Sequence, residues 1–109
     1  MKVLCDGLDL ADAVVAVSKA IGVKTVNPIL EGIKIVADEN TLTLSATDLE
    51  LFIEKKIRAE VKIEGEVVVP GKFLSDYVRK LSGEKVELNL VDKSKLSIIL
   101  IHFNNAIRL

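Results

Sequence analysis

The stretch that decides the fold is Gly65–Ser82, GEVVVPGKFLSDYVRKLS. Val67–Val69 forms a short apolar strand that runs into Pro70. Proline suits a first helical turn, where an N–H would be unpaired anyway. A helix of about three turns follows. Leu74, Val78 and Leu81 recur at helical spacing on one face, while Lys72, Ser75, Asp76 and Arg79 fall opposite. Phe73 and Tyr77 sit between the two faces. This is a β-α unit whose polar helix face needs a function.

Working outward, a second unit of the same kind opens the chain. Lys2–Cys5 is a strand, Asp6 a helix cap, and Leu8–Ile21 a helix with Leu10, Val14, Val17 and Ile21 on its apolar face. Asp9 and Asp12 near its start and Lys19 near its end suit the helix dipole. Gly22 stops it, and Val23–Asn27 before Pro28 is a loop. Three strand signals follow: Glu31–Ala37, Thr41–Ala46 after the turn Asp38-Glu39-Asn40, and Leu51–Ile63. The last is one strand or a bent pair. Its alternation puts Leu51, Ile53, Ile57, Ala59, Val61 and Ile63 on a buried face and charged residues on the other.

After the opening stretch, Gly83 ends the second helix, and Lys85–Val91, Lys95–Ile101 and Ala106–Leu109 read as strands. Lys95–Ile101 is apolar on both faces, so both require cover. The order is βαβββ followed by βαβββ. That predicts an α+β domain, a duplicated unit with two helices side by side on mainly antiparallel sheets of eight strands.

Composition bounds the function. The 109 residues make one domain with a real core, half hydrophobic and 28% charged. The formal net charge of −1 argues against holding DNA by bulk charge, though not against a local basic face. A single cysteine, Cys5, permits no internal disulfide and fits a reducing compartment. No secretory signal or membrane-length apolar run is visible.

The chain offers little chemistry. Gly65-x5-Gly71-Lys72-Phe73 has the outline of a phosphate-binding loop, but it has one spacer too many. Phe also stands where Ser or Thr would hold magnesium, and a strand replaces the loop of free N–H groups. Asp48 and Glu50 read as a turn cap and a surface carboxylate. Cys5 reads as a core thiol, and His102, the single histidine, has no partners for a metal site. No catalytic residue, metal site or cofactor is predicted.

What remains is a series of modest motifs in order: Asn27-Pro28-Ile29-Leu30-Glu31-Gly32-Ile33, Leu44-Ser45-Ala46-Thr47-Asp48-Leu49-Glu50, Val69-Pro70-Gly71-Lys72 and Val78-Arg79-Lys80-Leu81. With these the chain resembles, over essentially its whole length, the first domain of the bacterial DNA polymerase III beta subunit, the replicative sliding clamp. The resemblance implies a non-catalytic processivity factor. In the family, two subunits of three such domains close a ring around double-stranded DNA, with helices inside and strands on the rim. By position, Lys24, Lys72 and Arg79 become DNA-facing residues, with Lys19 and Lys80 as further members. Taken alone, lysines on a helix face are ordinary solvated residues.

The resemblance also implies a homodimer junction formed by Phe73, Tyr77 and Leu81 with the edge strand Ala106–Leu109, including Ile107 and Leu109. Phe73 stands where relatives often carry a basic residue. DNA polymerase III and the clamp loader would bind later domains absent here, so the chain is expected to be an excised first domain. A cytoplasmic, nucleoid-associated location without membrane contact is implied. The alternative from the residues themselves is a free-standing protein-interaction module that uses an edge strand.

Overall fold

The computed structural model describes residues 1–21, 32–47, 51–81, 83–92, 95–102 and 105–108, with side chains as far as residue 90. The elements run β1 (Lys2–Asp6), α1 (Gly7–Ser18), β2 (Gly32–Asp38), β3 (Thr41–Thr47), β4 (Phe52–Arg58), β5 (Glu60–Ile63), β6 (Gly65–Pro70), α2 (Gly71–Val78), β7 (Lys85–Asp92), β8 (Lys95–His102) and β9 (Asn105–Arg108). Every described pairing is antiparallel.

Two sheets result, one ordered β5-β1-β7-β8-β9 and the other β4-β3-β2-β6. The predicted duplication is visible in this order. Exchanging β1, α1, β2, β3 and β4 for β6, α2, β7, β8 and β9 turns β6-β2-β3-β4 into β1-β7-β8-β9. Each half therefore sends its first strand into the other half's sheet, as β1 pairs with β7 and β6 pairs with β2. Neither sheet is built from one half alone.

The strand predicted over Leu51–Ile63 is the bent pair. It breaks at Ala59, whose N–H donates to the Asn40 carbonyl at 3.1 Å. Before the break β4 pairs with β3, and after it β5 pairs with β1 in the other sheet. The break raises the strand count from eight to nine among the described residues. It also corrects the burial pattern. Ile53, Ile57, Ala59 and Val61 pack against the core, but Leu51 and Ile63 are exposed, because the alternation runs past the covered part of each sheet. Gly65 then lets β6 start tight against the N-terminus. A Cβ there would lie 2.9 Å from the Cβ of Met1.

The core lies between the sheets and the helices. Strand alternation supplies Val3 and Cys5 from β1, Ile33, Ile35 and Ala37 from β2, Leu42 and Leu44 from β3, and Val86 and Leu88 from β7. Cross-strand neighbours are core partners too, as in Ile35 opposite Val67 and Cys5 opposite Val86. The helices add Leu10, Ala13, Val14 and Val17 from α1, and Leu74 and Val78 from α2. Each large side chain buried this way contributes roughly 1.5–3 kcal/mol. The almost purely aliphatic make-up matches the low aromatic content.

The turn between β2 and β3 is tight, with positive φ at Glu39 (46°) and Asn40 (61°). Asparagine adopts that region readily and glutamate less so. The Glu39 N–H donates to Oε2 of Glu64 at 3.3 Å, which ties the turn to the β5–β6 link.

Candidate functional site

The two helices pack against each other on one side of the sheets and expose a common outer layer. Asp6 opens α1, its Oδ1 accepting from the N–H groups of Leu8 at 2.9 Å and Asp9 at 3.0 Å. Pro70 stands at the same point before α2 and makes no side-chain cap bond. The helices are shorter than the sequence periodicity suggests. α1 ends at Ser18 rather than Ile21, and α2 at Val78, well before Gly83. Both have a cation at the C-cap, Lys19 and Arg79, where the helix dipole favours positive charge.

A pair of hydroxyls joins the helices. Ser18 Oγ lies 2.6 Å from the Val14 carbonyl and 3.1 Å from Ser75 Oγ. A hydroxyl has one proton, so with Ser18 donating to Val14, Ser75 is the donor in the contact between helices. This contact sets the C-terminal end of α1 beside the middle of α2. Lys72 and Arg79 flank Ser75 at helical spacing, and Lys19 follows Ser18 directly. Lys19, Lys72, Arg79 and Lys80 are all exposed. Four of the five predicted basic residues are thus exposed on or directly after the two helices, and the fifth, Lys24, lies outside the described residues.

The predicted junction residues divide. Phe73 is 70% exposed, and Tyr77, one turn further on, is exposed as well. Leu81 is only 8% exposed and belongs to the domain's own core. The chain tightens after Val78, with the Leu81 N–H donating to the Val78 carbonyl at 3.0 Å. That swings Leu81 inward, onto the Leu74–Val78 face, so it is a packing residue. β9 is the outermost strand of its sheet and sets Ile107 opposite Leu100; Leu109 lies outside the described residues.

A charged cleft of about 650 Å³ lies where the chain crosses between sheets at Ala59, with Asp6, Asp9, Arg58, Glu60 and Lys85 on its wall. Cys5 reaches it, but burial above all, then the nearby Asp6 and Asp9 carboxylates, pushes its thiol pKa up to about 12, against the opposing charge of Lys85. Such a thiol carries almost no thiolate at neutral pH. Among the described residues, no group of three or more His, Cys, Asp or Glu side chains is placed to hold a metal ion, and no helix is long and apolar enough to cross a membrane.

An aliphatic two-sheet domain, duplicated in topology and carrying two adjacent helices with exposed cations on the second, is the architecture of sliding-clamp domains. Residues 1–105 match the family model described as DNA polymerase III beta subunit, N-terminal domain, and the chain belongs to that family. The beta sliding clamp of Halalkalibacterium halodurans is 39% identical over 84 residues, which span 70% of this chain and 22% of that protein. The beta sliding clamp of Staphylococcus epidermidis is 43% identical over 79 residues, spanning 65% of this chain and 21% of that protein.

Solved structures agree. The pol III beta of Caulobacter crescentus superposes with a TM-score of 0.86 at 28% identity, over 99% of this chain and 29% of that one. A putative DNA polymerase III beta subunit of Eubacterium rectale gives 0.84 at 32% identity, over 100% and 29%. The chain thus spans about a fifth of the length of the relatives it matches. These matches favour the clamp domain over a free-standing interaction module.

Proposed function

We propose that this domain forms part of a ring that encircles duplex DNA and tethers a replicative polymerase without catalysing any reaction, with the helix layer turned towards the duplex. The observation that carries this is the exposed cationic face of α2, where Lys72 and Arg79 stand two turns apart and away from the buried Leu74 and Val78. Side chains so placed reach phosphate oxygens and read no base edges, which positions a duplex without selecting its sequence. Sliding needs contacts of this weak, sequence-blind kind. Lys19 and Lys80 extend the same surface, and Lys24 joins it by motif position.

Ring closure would use Phe73, Tyr77 and the β9 edge with its Ile107, joined by Leu109 from its place in the sequence, against a second subunit, giving a homodimer. DNA polymerase III and the clamp loader would bind elsewhere on the assembled ring. The place of action would be the cytoplasm, at the nucleoid.

The test uses the longest natural polypeptide that carries this domain. It should stay on closed circular DNA and be lost when the circle is cut; equal retention on linear DNA would refute encirclement. Joint charge reversal of Lys24, Lys72 and Arg79 should cut DNA retention and leave the melting temperature unchanged. A large loss of stability would instead assign them to structural ion pairs.

A further inference from the structure

The helix layer breaks its own symmetry. When Gly7 is set on Gly71, the first residues of the two helices, the buried Leu10 and Val14 fall on the buried Leu74 and Val78. The outward positions then correspond as well. Asp12 falls on Asp76, Leu8 on Lys72 and Val15 on Arg79. Where α2 shows its two cations, α1 shows Leu8, 50% exposed, and Val15, 54% exposed. Leu8, Asp12, Val15 and Lys19 recur at helical spacing as one outward stripe. No lysine or arginine occurs in Gly7–Ser18, so the charge along the body of that stripe is the negative charge of Asp12.

We infer that the duplex contact of this domain is one-sided: α2 supplies the phosphate attraction, and α1 faces the same duplex with Leu8, Asp12 and Val15, which supply none. This rests on the reading of the helix layer as DNA-facing. Lys19 caps α1 directly after Ser18, whose hydroxyl meets Ser75 of α2, so it stands at the end of α1 that abuts α2 and does not extend positive charge along the helix. A duplex lying across the layer leans on α2 and the C-terminal end of α1. Towards the N-terminal end of α1 it meets apolar and acidic side chains. The hold is weak by composition, as a sliding contact requires.

The experiment copies one helix onto the other. Leu8→Lys with Val15→Arg gives α1 the cations of α2 at positions already half in water. The 109-residue chain is titrated with a duplex of about 12 base pairs, at several salt concentrations, by NMR shift perturbation. The double variant should bind roughly tenfold tighter, and its plot of log affinity against log salt should steepen by about 1–2. Asp12→Asn, which adds no bulk, should tighten binding about twofold and serves if the double variant folds poorly. Val68→Lys, on a β6 side chain 60% exposed and pointing away from the core, should leave the salt slope unchanged.

Lys72→Glu with Arg79→Glu separates the two levels. If it weakens binding while the α1 variants leave affinity and slope untouched, α1 is not over the phosphates and the one-sided contact is overturned. If it changes nothing, the DNA-facing reading itself fails.

Discussion

The two helices are equivalents under the duplication, yet they are held in different ways. α1 has twelve residues, a carboxylate cap making two hydrogen bonds, and packing against β1, β3 and β4 as well as α2. α2 has eight residues, a proline in place of a cap, and among the described residues packs mainly against β6 and α1. The better anchored helix shows an apolar and acidic outer face, and the less anchored one carries Lys72, Arg79 and the exposed Phe73. Duplication supplied two copies of one frame. Under the DNA-facing reading proposed above, one copy would serve mainly as support and the other would carry the functional surface.

Matched truncations in the two cores test that division most severely. Leu10→Ala and Leu74→Ala remove the same side chain from equivalent buried positions. Each should cost about 2–5 kcal/mol by urea denaturation, with Leu10 the larger because three strands close over α1. A larger loss at Leu74 would reverse the assignment of support and surface.

The caps offer a smaller and more local comparison. Asp6→Ala removes a side chain that satisfies two orphan N–H groups and should cost about 1 kcal/mol. Pro70→Ala removes no cap bond, and its cost should be a few tenths of a kcal/mol, mainly through a looser unfolded chain. Equal losses would show that Pro70 anchors its helix by some means other than capping.

Much of this was legible in the residues. The core face of each helix and the strands of both halves follow from apolar spacing, since burial leaves a periodic trace in sequence. What failed to show has a physical cause in each case. Apolar spacing overstates the length of α1 and α2 because Ile21 and Leu81 continue it, while the backbone tightens into turns after Ser18 and Val78. The resemblance implies a junction role for Leu81, whereas that turn carries it into the core. The exposure of Leu51 and Ile63 depends on where each sheet stops being covered, which alternation alone does not encode. The mismatch of Leu8 and Val15 with Lys72 and Arg79 was present in the sequence throughout. It becomes visible once the structure fixes Gly7 and Gly71 as equivalent helix starts.

The smallest effect is expected where the first half passes into the second. The side-chain hydrogen bond with Asp38 holds the Glu64 carboxyl above its ordinary range, against the opposing bond from the Glu39 N–H. A carboxyl whose pKa is higher folded than unfolded binds its proton more tightly in the native state. Its contribution is therefore complete below the unfolded value and is lost as pH rises through the folded one. Once the Glu64 carboxyl has lost its proton, it can no longer donate to Asp38. Glu64→Gln keeps a donor for Asp38 at every pH and removes the charge. Relative to the native chain, the variant's melting temperature should rise as pH is taken from about 4 to 7. Because Glu64 is fully exposed, solvent and salt screen the pair and the rise should be slight. A difference that stays flat across that range would mean the two carboxyls do not share a proton, and that the joint between the halves rests on the Glu39 bond and the tight approach of Gly65 to Met1.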